Sequence, residues 1–539
     1  MTLKIQIPDS WSHPAIEELT TFVIGGDWGK APEFDDPNFD SALCIRGSEF
    51  RNWSEDKGKT ASVRKLKVSS INTRVLKEGD ILVEISGGGP EQPVGRTVLI
   101  DKSVLSFNPE LPKVCTNFLR LVRLNENSFP TFVNYFLNYF YVSGEVINYQ
   151  SGSNNLRNLK FNDYIGIGIP FPPLNEQHRI VAKIEELFSE LEKGVESLKA
   201  AREQLKVYRQ SVLKAAFEGR LTESWRKELA DELESASELL ARIKTEREAR
   251  YEARLAEWQQ AVNAWEAEGG KASGTKKPTK PKMPKELPPL TADELADLPA
   301  LPKGWGWIKL GEGIEEPAYG TSKKCDYESD GIGVLRIPNI ANGFIDDSDL
   351  KFATFDEREV AQYKLCAGDL LTIRSNGSVS LVGKCALIRD KDEKFLYAGY
   401  LIRIRPLRGI FKGSFLYYVL SSSALRSQIE FKAKSTSGVN NINSNELKAL
   451  VLPACSLGEQ HQIVQEIESR FSVVEKMEQT IEESLQKAEA LRQSILKRAF
   501  EGKLVPQNPD DEPASELLAR IRAEREAASH IPKRGRKKV

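Results

Sequence analysis

The sequence predicts an α+β protein: two similar mixed α/β globular units, joined by long helices that pair as a coiled coil. Three observations carry this reading. Two helical segments recur at one gapless offset, their apolar residues repeat every 3.5 positions, and short strand-like runs broken by Gly and Pro precede each copy.

The repeat comes first. EQHRIVAKIEELF (176–188) matches EQHQIVQEIESRF (459–471), and QSVLKAAFEGRL (210–221) matches QSILKRAFEGKL (493–504), all 283 residues apart. Two matches at one offset mark an internal duplication. Upstream, GDILVEISG (79–87) answers GDLLTIRSNG (368–377), and GSNNL (152–156) answers GVNNI (438–442). Downstream, ASELLARI at 236 and 514 is 278 apart, so the copies differ there by five residues.

In the first helix Ile180, Ile184, Leu187, Leu191, Gly194, Leu198, Ala201, Leu205, Tyr208 and Val212 advance in steps of four and three. The same register in the second gives Ile463, Ile467, Arg470, Val474, Met477, Ile481, Ser484, Ala488, Leu491 and Ile495. Such a stripe needs a partner helix, and the other copy supplies one. Some 42 residues of helix would span about 63 Å. Pro170, Pro172 and Pro173 before the first helix, and Pro453 before the second, suit helix entrances.

In the first globular unit VRKLKV, RVLKEGDILVEIS and RTVLI read as strands and FVNYFLNYF (132–140) as a buried helix. In the second, IGVLRIPNI, GDLLTIRSNG, GKCALI and YLIRIRP read as strands and SFLYYVLSSSALRSQI (414–429) as one helix. Between the halves, 225–268 is rich in helix formers and carries Trp258 and Trp265. Residues 269–289 hold Lys271, Lys276, Lys277, Lys280, Lys282 and Lys285 among five prolines, a basic non-helical linker. The tail 531–539 is also basic.

Composition excludes several classes. With 539 residues the chain exceeds one compact domain, and 76 Lys plus Arg against 77 Asp plus Glu rules out a uniformly basic polyanion binder. Six cysteines without a CxxC pair and four histidines fit neither a disulfide scaffold nor a zinc ribbon. The start lacks the apolar run of a signal peptide and no stretch approaches a bilayer span, so a cytoplasmic protein without a membrane partner is expected. No NPPY-type tetrapeptide, HExxH or complete phosphate loop is present; VGKC (382–385) has Cys where magnesium needs a hydroxyl. Glu176, Gln177, Glu459 and Gln460 read as first-turn residues suited to the helix dipole, and His178 and His461 as structural or interface residues.

A groove reader needs Arg, Lys, Asn, Gln and hydroxyls that can meet base edges or phosphates. VRKLK, SGSNNLRNLK, RSNGS and KAKSTSGVNN have that character. The candidate contacts are Arg64, Lys65, Lys67, Asn155, Arg157, Lys160, Arg374, Asn376, Ser378, Lys432, Lys434 and Asn440.

The helix entrances, the helix-terminal QSVLKAAFEGRL and QSILKRAFEGKL, and the GD and NNI-like marks together resemble the DNA-specificity subunit of type I restriction-modification systems. The resemblance covers roughly 1–225 and 300–505. It implies target recognition domains at 1–172 and 300–454 and spacer helices within 173–225 and 455–505 forming an antiparallel coiled coil; the helical extension with basic linker at 226–299 and the C-terminal extension at 506–539 are longer than that pattern requires. It also implies a noncatalytic chain that binds no cofactor and reads a bipartite site in double-stranded DNA. Its partners would be two modification subunits, which bind S-adenosylmethionine and methylate adenine, and restriction subunits, which use ATP and Mg. The competing class is a nonenzymatic coiled-coil scaffold whose globular units bind protein.

Overall fold

A computed structural model of the chain describes residues 6–89, 92–152, 156–229, 234–270, 276–281, 283, 287–296, 298–433 and 438–529. The chain forms two compact units, Met1–Lys199 with Ile481–Val539, and Ala200–Thr480. Each has its own core, and each contains the start of one long helix and the end of the other.

The two globular parts share a topology. The first has an antiparallel sheet in the order Thr20–Gly25, Leu119–Leu124, Ile81–Glu84, Thr97–Leu99; the second repeats it with Ala318–Tyr319, Leu401–Ile404, Leu370–Ile373, Cys385–Leu387. Ile81–Glu84 and Leu370–Ile373 are buried along their whole length, which is why both read as short apolar runs without alternation. A second sheet joins Phe39–Ile45 to Ser62–Lys67 antiparallel and to Lys113–Cys115 parallel. Ile332–Leu335, Lys351–Ala353 and Leu396–Tyr397 repeat that arrangement.

The GD echo marks a buried ion pair. Asp80 receives Arg123 Nε and Nη2 at 2.6 and 2.7 Å, and Asp369 receives Arg405 Nε and Nη2 at 2.7 and 2.6 Å. Both carboxylates are buried and also accept a backbone N–H three residues upstream, from Lys77 and Cys366. Two-pronged charge-assisted bonding of this kind satisfies the groups that burial strips of water.

The long helices run Leu174–Phe217 and Leu457–Phe500, starting two residues before the expected points. Their Glu-Gln entrances are buried rather than ordinary first-turn surface. Trp11 Nε1 donates to Glu176 Oε2 at 3.1 Å and Trp305 Nε1 to Glu459 Oε2 at 2.7 Å. Gln177 Nε2 donates to Pro172 O, and Gln460 Nε2 to Ile410 O and Cys455 O. Each tryptophan sits on a P-x-x-W turn, with Trp11 N donating to Pro8 O and Trp305 N to Pro302 O. The sequence reading passed over that repeat.

The helix ends close the cores. Val212, Leu213, Ala216 and Phe217 lie in the second core, where Phe217 meets Phe415 edge-on. Their counterparts Ile495, Leu496, Ala499 and Phe500 lie in the first, with Phe500 among Phe132, Phe136 and Tyr139. Gly219 and Gly502 then take φ of +72° and +68°, and a Cβ on either would come within 2.4 Å of Pro302 or Pro8 Cγ, so only glycine ends these helices. In the first unit Arg492 stacks on Phe188 and bonds Glu192 at 3.1 Å; in the second Arg209 stacks on Phe471 and bonds Glu478 at 3.0 Å.

Along the expected apolar stripe, Ile180, Ile184, Ile463, Ile467, Val474, Ile481, Val212 and Ile495 are buried, and Leu187, Leu191, Leu198 and Leu205 are half-buried. Met477 and Leu491 are about half exposed, at 49% and 51%.

The two ASELLARI segments open helices Ala236–Ala267 and Ala514–Ser529. Leu239 and Ile243 join the second core, and Leu517 and Ile521 the first. Two described residues of the linker meet the first of these helices: Trp258 Nε1 donates to Pro278 O at 2.9 Å and Lys280 sits over the Trp258 ring. The expected single helix over 414–429 is two, Gly413–Ser421 and Ser423–Ala433, because Ser422 is extended (ψ 149°) and its hydroxyl accepts from Leu425 N. Of the basic segments, Lys271, Lys282, Lys285 and the tail 531–539 lie outside the described residues.

The two entrances differ in charge balance. Glu459 is neutralised by Arg226 and also accepts from Thr222 Oγ1 at 2.7 Å. Pro509 stands in the first unit at the place that Arg226 holds after the matching glycine, and Glu176 Oε1 has no partner among the described residues. Burial accordingly pushes the Glu176 carboxyl above its ordinary range, opposed by the Trp11 hydrogen bond and the Arg179 charge. A raised folded-state pKa means the native state binds more protons than the unfolded one, so this group costs stability as pH rises through that window. Glu176→Gln is expected to gain stability over the parent chain as pH rises above the ordinary glutamate range, and to keep that gain at neutral pH. Glu459→Gln, which strands Arg226, is expected to lose about 3–5 kcal/mol, and denaturant unfolding of both variants checks the contrast.

Candidate nucleic-acid interface

Each unit carries a short polar ladder just beyond the end of an internal strand of its four-stranded sheet. In the second, Ser375–Asn376 pairs antiparallel with Asn440–Asn441. The side chains reinforce the loops: Asn440 Nδ2 donates to Gly377 O at 3.0 Å, and Asn376 Oδ1 accepts from Ser378 N at 2.9 Å. Ser378 and Ser380 hydroxyls are 2.9 Å apart. Arg374 enters this ladder with its guanidinium carbon 4.8 Å from the centre of the Tyr319 ring, and its Nε is buried without a hydrogen-bond partner among the described residues. Asn441 Oδ1 is also buried and unpartnered. The structure therefore gathers Arg374, Asn376, Ser378 and Asn440 at one place.

In the first unit Ser86–Gly88 pairs with Arg157–Leu159, which in turn pairs with Gln150–Ser151. The hydrogen bonds fix the correspondence. Leu159 N donates to Ile85 O at 2.9 Å as Ile442 N donates to Arg374 O at 2.9 Å. Asn158 is thus the counterpart of Asn441, 283 residues away like the helices, and pairing GSNNL with GVNNI was a three-residue slip. The slip is a consequence of two Asn-Leu/Ile marks lying close together. Arg157 is half-buried in the ladder and Lys160 is exposed just beyond it. Asn155 and Lys434 lie outside the described residues.

The remaining candidates sit elsewhere. Arg64, Lys65 and Lys67 belong to the edge strand of the second sheet, not to the ladder. Arg64 Nε donates to Trp28 O at 3.1 Å and the guanidinium lies over the Trp28 ring, so its orientation is already taken up within the domain. Lys65 exchanges backbone hydrogen bonds with Lys30, and Lys67 is exposed. Lys432 is half-buried in the last turn of Ser423–Ala433.

Sequence reasoning missed Tyr319, the exposed rings of Phe118 and Tyr400 (52% and 63%), and Arg120. Polar loops were the signal sought, whereas these residues lie within or beside apolar strands. The available cue was the arginine interrupting the run LRLVRL (119–124).

Among the described residues no cluster of three or more His, Cys, Asp and Glu side chains could hold a metal ion, and no helix is long and apolar enough to cross a membrane. Burial pushes the thiols of Cys44, Cys115 and Cys385 up to about 12, which leaves them as packed side chains without thiolate character at neutral pH.

The family model described as type I restriction modification DNA specificity domain matches residues 9–199 and 302–487. The type I restriction enzyme EcoKI specificity subunit of Escherichia coli (strain K12) is 26% identical, over 99% of this chain and 99% of its own. The StySPI specificity subunit of Salmonella potsdam is 23% identical, again over 99% of each chain. A solved chain described under "Structural basis underlying complex assembly and conformational transition of the type I R-M system" matches with a TM-score of 0.59 at 17% identity, covering 93% of this chain and 100% of that one. That likeness bears on the fold. With two matched regions that coincide with the two ladder-bearing globular parts and the helices after them, the chain belongs to the type I restriction-modification DNA-specificity family.

Proposed function

We propose that the chain reads a bipartite site in double-stranded DNA, one half with each recognition domain, and leaves the base pairs between them unread. The observation that carries this is the pair of polar ladders, one in each unit, each following the equivalent internal strand of the four-stranded sheet. The domains are 1–172 and 300–454, with spacer helices within 173–225 and 455–505 and extensions at 226–299 and 506–539. The chain is a noncatalytic specificity subunit. Its work is placement: two modification subunits bring S-adenosylmethionine and methylate adenine, and restriction subunits bring ATP and Mg.

The long helices act as the spacer, paired antiparallel. Support comes from residue order: moving up the first helix from Glu192 to Arg209, the bonded partner moves down the second from Arg492 to Glu478. Each arginine also stacks on the phenylalanine near the start of the other helix, a contact a parallel pair would not make twice. Base edges supply specificity and phosphates supply affinity, the latter shared with modification-subunit surfaces. Asn and Ser side chains at the ladders suit adenine and mixed base edges, and Arg374 suits guanine or phosphate.

Mapping methylated adenines in DNA exposed to the assembled complex tests the reading, with the expected result a two-part target with a fixed gap. Removing one heptad from both helices is expected to shorten the accepted gap by about three base pairs, since seven residues rise about 10.5 Å and a base pair about 3.4 Å. An unchanged gap would sink the spacer role. Arg374→Ala is expected to relax one half-site only, by about 1–3 kcal/mol at the affected base pair.

A further inference from the structure

Arg374 has no equivalent arginine in the first domain, yet the same device recurs there from other residues. The backbone correspondence is fixed by four hydrogen bonds. Arg374 N donates to Tyr400 O and Ile85 N to Phe118 O, both at 2.9 Å, while Arg374 O and Ile85 O accept from Ile442 N and Leu159 N. Position 85 is thus the counterpart of 374 and carries isoleucine. Likewise Gly320 N donates to Leu401 O as Gly26 N donates to Leu119 O, so Gly25 stands where the second domain has Tyr319.

Both halves of the second domain's cation–aromatic pair are therefore missing at their own positions in the first. They are replaced from neighbouring elements, Arg120 from the strand Leu119–Leu124 and Phe161 from the helix Phe161–Ile165. Arg120 lies directly across the strand pair from Gly25, where a Cβ would meet nothing within 4 Å. Its guanidinium carbon is 4.8 Å from the centre of the Phe161 ring, the same separation as Arg374 from Tyr319. Phe161 is the counterpart of Ser444, whose N–H donates to the Tyr319 hydroxyl. Thus the Phe161 ring takes the part that the Tyr319 ring plays in the other domain.

The electrostatics also match. Arg120 Nε, like Arg374 Nε, is buried without a hydrogen-bond partner, and neither guanidinium has a carboxylate partner among the described residues. Neighbouring arginines of the same sheets are sealed: Arg123 by Asp80, Arg96 by Glu84, Arg405 by Asp369. A guanidinium held against an aromatic ring without a carboxylate partner keeps its planar fork of donors for a two-point acceptor. Beside each pair an exposed ring, Phe118 or Tyr400, leaves apolar surface uncovered at an equivalent point.

Building on the DNA-reading role, we propose that Arg120 is a specificity-determining residue of the first recognition domain, a bidentate donor to one guanine in the major groove of its half-site. A phosphate contact would need neither the ring beneath the guanidinium nor its rebuilding from different residues in each domain. Guanine O6 and N7 present the two acceptors that this planar fork matches.

The test uses the complete complex with the full-length chain carrying Arg120→Lys or Arg120→Ala, and maps methylated adenines in duplexes randomised across both half-sites. Both variants are expected to lose about 5- to 150-fold discrimination at a single guanine position in the half-site that Arg374→Ala leaves intact. The other half-site serves as the internal control for folding, and the charge-keeping lysine variant serves if the alanine variant is unstable. A uniform loss across all sequences, with base preferences retained, would show a phosphate contact and overturn the assignment, as would unchanged preferences. If the parent complex itself shows no sequence preference, the DNA-reading function fails along with this inference.

Discussion

Each core is closed by the end of a long helix that starts in the other unit. Phe500 fills the first core and Phe217 the second, each met by rings from the globular part. Without them, Phe132, Phe136 and Phe415 would face water, and losing a buried phenylalanine of this kind costs about 3–5 kcal/mol. A helix that must seat residues such as Ile184 in one core and Val212 in the other has a fixed number of residues between its anchors. Helix length is thereby tied to the packing of both domains.

The entrances add direction. A helix leaves its own domain at a buried glutamate held by a tryptophan on a P-x-x-W turn, and the glycine ending the other helix abuts the proline of that same turn. One short turn therefore fixes both a helix start and a helix end. Duplication has preserved this geometry while the electrostatics diverged. Arg226 neutralises Glu459, whereas Glu176 relies on Trp11 and the more distant Arg179. Since a carboxylate buried without a full partner penalises the charged form, the first entrance is the weaker of two otherwise matching joints.

Much of this was legible in the residues. The 283-residue offset gives both helices, and the paired GD marks point to equivalent loops, though their meaning as Asp–Arg pairs needed the strand that brings Arg123 or Arg405 alongside. Other features were hidden for physical reasons. A 3.5-residue period assigns a stripe, but with one partner helix only part of that stripe is covered, so Met477 and Leu491 remain half exposed while Arg209 and Arg492 stack on phenylalanines. Arg374, Asn376, Ser378 and Asn440 stand out in the sequence because they sit in polar runs. Arg120 does not, because a strand's apolar neighbours disguise a guanidinium whose role depends on the ring it meets.

The near balance of 76 basic and 77 acidic residues says little about DNA binding, because what matters is which cations already have partners. Arg96, Arg123 and Arg405 are sealed by buried carboxylates and belong to the scaffold. Arg120 and Arg374 rest on rings at the ladder edge. That division separates fold from specificity. The ladder's backbone bonds are the same whether position 85 or 374 carries isoleucine or arginine, so its side chains can change without disturbing the ion pairs beneath. On the proposed DNA-reading role, a domain built this way acquires a new target by substitution at the ladder, while the helix joints stay as they are.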